Sequence, residues 1–124
     1  MTAKRLLIVD DAMIMRKRIK DIAEEVGWEV VGEAKNGEEA LELYAKESPD
    51  LVTLDIVMPK MDGVAALRAL MATDPQARVV MVTAVNQKAK LTECIQVGAL
   101  DFLVKPFEKD HLQRLFKKYL TLGE

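Results

Sequence analysis

Short apolar runs alternate along this chain with stretches whose apolar residues recur every three or four positions. Leu6-Leu7-Ile8-Val9 is continuous, as expected of a strand buried on both faces. Met15, Ile19, Ile22, Ala23 and Val26 then repeat at helical spacing, and Gly27 ends that helix. Trp28 to Gly32 reads as a second strand. Asn36 with Glu39 three residues on has the form of a capping box. The helix it opens carries Ala40, Leu43 and Tyr44 inward and runs out before Pro49. Leu51-Val52-Thr53-Leu54 is a third strand. Asp62-Gly63 opens a helix with Val64, Leu67, Leu70 and Met71 on one face, closed by Asp74-Pro75. Val79 to Val82 is a fourth strand, and Leu91, Cys94, Ile95 and Gly98 mark the helix after it. Phe102-Leu103-Val104 is a short fifth strand, and Leu112, Leu115, Phe116 and Tyr119 form the stripe of a last helix.

Strictly alternating strands and helices predict an α/β fold: a parallel sheet, doubly wound, with helices on both faces and right-handed crossovers. Pro59, Pro75 and Pro106 fall between elements, which supports the boundaries. No repeat, low-complexity tract or linker divides the chain. Its 124 residues suit one domain, 1–124.

Composition narrows the function classes. Half the residues are hydrophobic and 31% are charged, the balance of a globular chain with a core. A net charge of −2 argues against a nucleic-acid binder. No apolar run is long enough to span a bilayer, and the N-terminus lacks the pattern of a secretory signal, so the cytoplasm is expected. The single Cys94 excludes an intrachain disulfide and, within an apolar stripe, is expected to be buried and inert. The single His111 excludes a multi-histidine metal site and is expected on an exposed helix face. Met13, Met15, Met58, Met61, Met71 and Met81 are expected in core or loop packing, and Trp28 partly buried. Lys88, Lys90, Lys109, Arg114, Lys117 and Lys118 read as a solvated basic face.

The polar residues that remain stand at strand ends. Asp10 and Asp11 follow the first strand, Asp55 the third, Thr83 the fourth and Lys105 the fifth. Taken singly, each has an ordinary reading: helix cap, loop acid, turn residue, surface lysine. In an open α/β sheet, however, ligands bind at the carboxyl ends of the strands, at the switch point. With strand order 2-1-3-4-5, Asp10, Asp11 and Asp55 converge there, with Thr83 and Lys105 beside them. Two unit charges about 4 Å apart repel by about 4 kcal/mol at an effective dielectric near 20. A divalent cation relieves that repulsion, and an all-oxygen donor set favours Mg2+ or Mn2+ over Zn2+. Carboxylate, hard cation and lysine together suit phosphoryl transfer onto Asp55.

These segments resemble the receiver domain of response regulators, and the resemblance spans Lys4 to the last helix. Val9-Asp10-Asp11 resembles its acidic pair, and Leu54 to Gly63 the segment around its acceptor aspartate. Val82-Thr83-Ala84 is similar to its switch hydroxyl, and Gly98 to Phe107 to its lysine motif. The resemblance implies a flavodoxin-like fold with five strands ordered 2-1-3-4-5 and five helices. It implies Mg2+ held directly by Asp11, Asp55 and the backbone carbonyl of Val57, with Asp10 acting mainly through a water on the ion. It implies that Lys105 pairs with Asp55 and then with the phosphoryl group. Thr83 would move toward that group and Phe102 would change rotamer, reshaping the surface of helix 4, strand 5 and helix 5. A cis Lys105-Pro106 bond is implied as well. The donor would be a sensor histidine kinase, since no phosphate-binding glycine loop is present. The output would be by contact with a protein, with the flagellar motor switch favoured because the start of the first helix looks chemotaxis-like.

Phe102 taken alone would be ordinary core. Val57 and Val85, being apolar, imply slow self-dephosphorylation. A monomer is expected, acting on no external substrate. An intermediate of a multi-step phosphorelay is the alternative within the class. Outside it stand an aspartate-nucleophile phosphatase, whose paired acids should be two residues apart rather than adjacent, and a flavin- or nucleotide-binding domain, whose phosphate Asp10-Asp11 would repel. A receiver-shaped module that is never phosphorylated is disfavoured by the acceptor and the lysine.

Overall fold

The computed structural model describes residues 3–121. Residues 1–2 and 122–124 of the expected span 1–124 lie outside it. The described elements run β1 (Arg5–Val9), α1 (Met13–Val26), β2 (Glu29–Ala34), α2 (Gly37–Glu47), β3 (Leu51–Leu54), α3 (Gly63–Thr73), β4 (Val79–Ala84), a 3-10 turn (Val85–Gln87), α4 (Lys88–Val97), β5 (Asp101–Lys105) and α5 (Lys109–Thr121). The sheet order is β2-β1-β3-β4-β5, and every pairing is parallel. The expected α/β fold is the observed one. β2 begins at Glu29 rather than Trp28, and β4 and β5 extend past the apolar run at one or both ends. Polar residues such as Thr83, Asp101 and Lys105 continue the hydrogen-bond ladder after the hydrophobic pattern has stopped.

Two apolar layers fill the space between sheet and helices. One packs Val52, Leu54, Val79 and Met81 against Val64, Leu67 and Leu70 of α3 and Leu91 and Cys94 of α4. The other packs Leu6, Ile8, Val80 and Val82 against Ile19 and Ile22 of α1 and Leu112 and Phe116 of α5. Successive strand residues face opposite layers, so a continuous apolar run is needed to satisfy both. No described helix is long and apolar enough to cross a membrane.

Local chemistry sets the helix ends. Gly27 takes φ 118°, and its N–H returns to Ala23 and Glu24, a glycine-specific stop for α1. At α2, Asn36 accepts from the Glu39 N–H at 2.9 Å, while the Glu39 carboxylate accepts from Lys35 N at 3.0 Å. That is the expected capping box with its return bond shifted one residue back. Asp62 caps α3 by accepting from Ala65 N at 2.9 Å.

Two packing expectations are corrected. Trp28 is fully buried rather than partly so, because its Nε1 donates to Phe116 O at 3.0 Å and satisfies the indole inside. Met13 is 72% exposed, since it is the first residue of α1 and points off the core stripe. Cys94 is buried, and His111 and the six basic residues of the C-terminal part are exposed, as expected.

Candidate functional site

The site is built where β1, β3 and β5 stop. Asp10 N donates to Ala34 O and Asp55 N donates to Val9 O, both at 3.0 Å, so the ladder carries both acids to the same level. Asp10, Asp11 and Asp55 each bring a carboxylate oxygen within 4.8 Å of the others. Asp10 and Asp55 are buried and Asp11 is exposed, so the cluster opens to solvent on the Asp11 side.

Lys105 reaches in from the last residue of β5. Its Nζ lies 2.6 Å from Asp10 Oδ2 and 3.3 Å from Asp55 Oδ2. The lysine therefore bridges the two buried acids and stands nearer Asp10, where the resemblance had paired it with Asp55. One ammonium between two buried carboxylates relieves more repulsion than it would on either alone. The peptide bond after it, Lys105-Pro106, is cis as expected.

Neither buried acid caps α1. The cap position is Ala12, without a side-chain cap bond. Asp10 Oδ1 instead accepts from Ala12 N at 2.9 Å, and Asp55 Oδ1 accepts from Ile56 N at 2.8 Å. Asp55 is held above the usual carboxylate range. Burial is the chief cause; the Lys105 charge opposes it, the Asp10 charge adds to it, and hydrogen bonds from Lys105 and Ile56 oppose it. For Lys105, burial works to lower the ammonium, but the Asp10 hydrogen bond and the charges of Asp55 and Asp10 outweigh it and raise the group.

Thr83 and Phe102 occupy the other side of the same edge. Thr83 is fully buried, and its Oγ1 has no hydrogen-bond partner. Thr53 shares that state, two residues back from Asp55 inside β3. Phe102 is not core: it is 47% exposed on the edge strand. It lines a groove of about 330 Å³ with Val85, Leu91, Ile95 and Val104. The edge position explains this, since β5 has a neighbour on one side only. Val57 and Val85 are exposed, Val57 in the loop after β3 and Val85 at the start of the 3-10 turn after β4.

Two residues have roles at the site that the motifs do not reveal. Gly63 opens α3 against the β3 end, where a Cβ would overlap the Asp55 carbonyl, and its N–H bonds Ile56 O at 2.7 Å. Arg16 donates to the Asp10 carbonyl at 2.7 Å. Glycine at a helix start is a weak signal of close approach, and an arginine within a helix gives none.

An all-oxygen cluster with an exposed edge fits a hard divalent cation, since three carboxylates and few enclosing groups leave room for water ligands. Charge, nucleophile and lysine together suit transfer of a phosphoryl group.

The sequence model of the response regulator receiver domain matches residues 6–117. The chain is 51% identical over 119 residues to the chemotaxis protein CheY of Bacillus subtilis (strain 168), covering 96% of this chain and 99% of that protein. It is 47% identical to the chemotaxis protein CheY of Thermotoga maritima, covering 93% and 96% of the two chains. Among solved structures it is similar to CheY in the CheX-CheY-BeF3-Mg+2 complex from Borrelia burgdorferi, with a TM-score of 0.86, 37% identity, and coverage of 94% and 89%.

Proposed function

The chain belongs to the response regulator receiver family, and on that footing we propose that Asp55 is its phospho-acceptor. It is a CheY-like receiver domain of a two-component response regulator, a signalling protein. The observation that carries the proposal is the meeting of Asp10, Asp11 and Asp55 within 4.8 Å, with Lys105 bonded to two of them.

In the proposed reaction an Asp55 oxygen attacks the phosphorus of a phosphohistidine on a sensor histidine kinase. The new P–O bond forms as the P–N bond breaks, and the imidazole keeps the electron pair. Asp55 must be ionised to attack. Burial works against that, and the adjacent Lys105 ammonium works for it. As charge moves onto the phosphoryl oxygens, Lys105 is placed to donate to them from its position between the acids. Asp10 has one oxygen on Ala12 N and the other on Lys105, so its main work is to hold the lysine and shape the pocket. Asp11, Asp55 and the Val57 carbonyl, with Asp10 behind them, would hold Mg2+, or Mn2+ in its place. Bound there, the ion would offset charge on the transferring oxygens.

Readout starts from Thr83. A buried hydroxyl without a partner gains a bond by turning to a phosphoryl oxygen, and the exposed Phe102 is free to change rotamer with it. The affected surface is that of α4, β5 and α5. Its reader is a protein partner, with chemotaxis supported by the CheY relatives and the flagellar motor switch as the favoured target. The working compartment is the cytoplasm. The side chains of Val57 and Val85 cannot orient water, so the phosphorylated state decays slowly; Val57→Asn should speed its loss.

The test is incubation of the chain with Mg2+ and acetyl phosphate, then intact mass and peptide mapping. One phosphoryl group is expected on Asp55, suppressed by EDTA and absent from Asp55→Asn. The same labelling in Asp55→Asn rejects the proposal.

A further inference from the structure

The peptide joining Asp10 to Asp11 is held by groups outside its own loop. Its carbonyl accepts from Arg16 Nη1 at 2.7 Å, while Arg16 Nε reaches Glu33 Oε1 on β2 at 3.2 Å. Lys20 Nζ stands 3.9 Å from the second Glu33 oxygen. The Arg16 side chain is 15% exposed and the Glu33 side chain 36%, so the carbonyl bond is partly buried and the carboxylate bond faces solvent. A peptide unit is planar, so fixing the Asp10 carbonyl also fixes the direction in which the chain enters Asp11.

That constraint matters more for Asp11 than for Asp10. The Asp10 carboxylate is pinned by Ala12 N and Lys105. Among the described residues, no hydrogen bond ends on the Asp11 carboxylate. Among these contacts, only its backbone therefore limits where that carboxylate can reach. We propose that Arg16 is a positioning residue for the cation site: anchored on Glu33, its guanidinium sets the Asp10–Asp11 peptide plane and so aims Asp11 toward Asp55. The inference rests on the reading of the three acids as a cation site. A guanidinium suits the task, because its rigid fork engages Glu33 and the carbonyl at once. A lysine ammonium is a point charge on a flexible stem and cannot hold both in one geometry.

Charge and geometry predict opposite outcomes. A cation beside the acids repels a divalent ion, so if Arg16 acted by charge alone, removing it would tighten ion binding. If it aims Asp11, removing it loosens binding despite the relieved repulsion. Arg16→Met removes charge and donors together, whereas Arg16→Lys keeps the charge and loses the fork. The experiment is titration of the full chain with Mn2+, with free ion read by electron paramagnetic resonance and folding checked by circular dichroism. Arg16→Met should bind about tenfold more weakly, in the range seen when a partner behind a ligand is removed. Arg16→Lys should bind more weakly than the parent by a smaller factor. Folded Arg16→Met with equal or tighter binding overturns the inference, as does Arg16→Lys indistinguishable from the parent. If Arg16→Met does not fold, Arg16→Lys decides alone. Failure of the parent chain itself to bind Mn2+ would instead overturn the cation-site reading.

Discussion

The two halves of the carboxyl edge of the sheet are finished differently. On the β1–β3–β5 side, the buried carboxylates of Asp10 and Asp55 have both oxygens engaged, by Ala12, Ile56 and Lys105. On the β4–β5 side, Thr83 Oγ1 is buried without a partner and Phe102 lies half exposed beside a groove. The first half is a fixed frame. Thr53 Oγ1 is also without a partner, but it lies inside β3 and not at the edge; the second half carries its unmet hydrogen bond near the strand end, together with a side chain that has room to turn. A chemical step needs its groups held in advance, whereas a signal needs a part that can move.

The frame is broken most severely at Lys105. Lys105→Met leaves two buried carboxylates facing each other, and loss of one partner from a buried pair is costly. Because the lysine side chain is 18% exposed, a stability loss of about 2 kcal/mol is expected rather than the full value for a dry pair. Urea unfolding at neutral pH measures it, and added Mg2+ should recover part of the loss. No loss would mean that the frame is not held by charge.

The opposite sign is expected across the edge. Thr83→Val keeps the shape and removes the orphaned hydroxyl, so the unphosphorylated chain should gain up to about 1 kcal/mol. Partner binding should then cease to respond to phosphorylation at Asp55. If Thr83→Val destabilises the chain instead, the hydroxyl already has a partner and the contrast collapses. Phe102→Ala should cost less than about 1 kcal/mol, well below a buried Phe truncation, because the ring is 47% exposed.

The residues of both halves were legible in the sequence, but their surroundings were less so. Apolar runs mark the strands, and their ends name Asp10, Asp55, Thr83 and Lys105. That works because a parallel sheet forces strand ends together. Exposure was less legible. Phe102 and Met13 are apolar residues whose default place is a core, and only the edge position of β5 and the first turn of α1 put them outside. Partner choice was hidden as well. Spacing brings Lys105 near both acids but does not say that Asp10 takes the shorter bond. Arg16 was unread for the same reason: its bond is to a main-chain carbonyl, which leaves no trace in side-chain patterns.

The smallest expected effect tests how tightly α4 is packed, since its residues Leu91 and Ile95 line the Phe102 groove. Cys94, on the inner side of that helix, is fully buried. Burial is the first cause that pushes its thiol up from 9.0 to about 11, with the charges of Glu93 and Asp62 adding and Arg68 opposing. In this range the unfolded chain loses the proton before the folded chain does. Stability from this group is therefore present below pH 9 and falls as pH rises from there toward 11. Between pH 8 and 9.5 the folded chain should lose roughly 0.8 kcal/mol that Cys94→Ala does not lose. The window ends below 10.0, where Tyr44 and Tyr119, both raised by burial and by their aspartate partners, begin to add losses of their own. Urea midpoints at the two pH values, for parent and variant, give the difference. Parallel pH slopes would mean that α4 opens readily enough to ionise the thiol in the folded state. Loose packing would then belong to the whole helix and not to the groove alone.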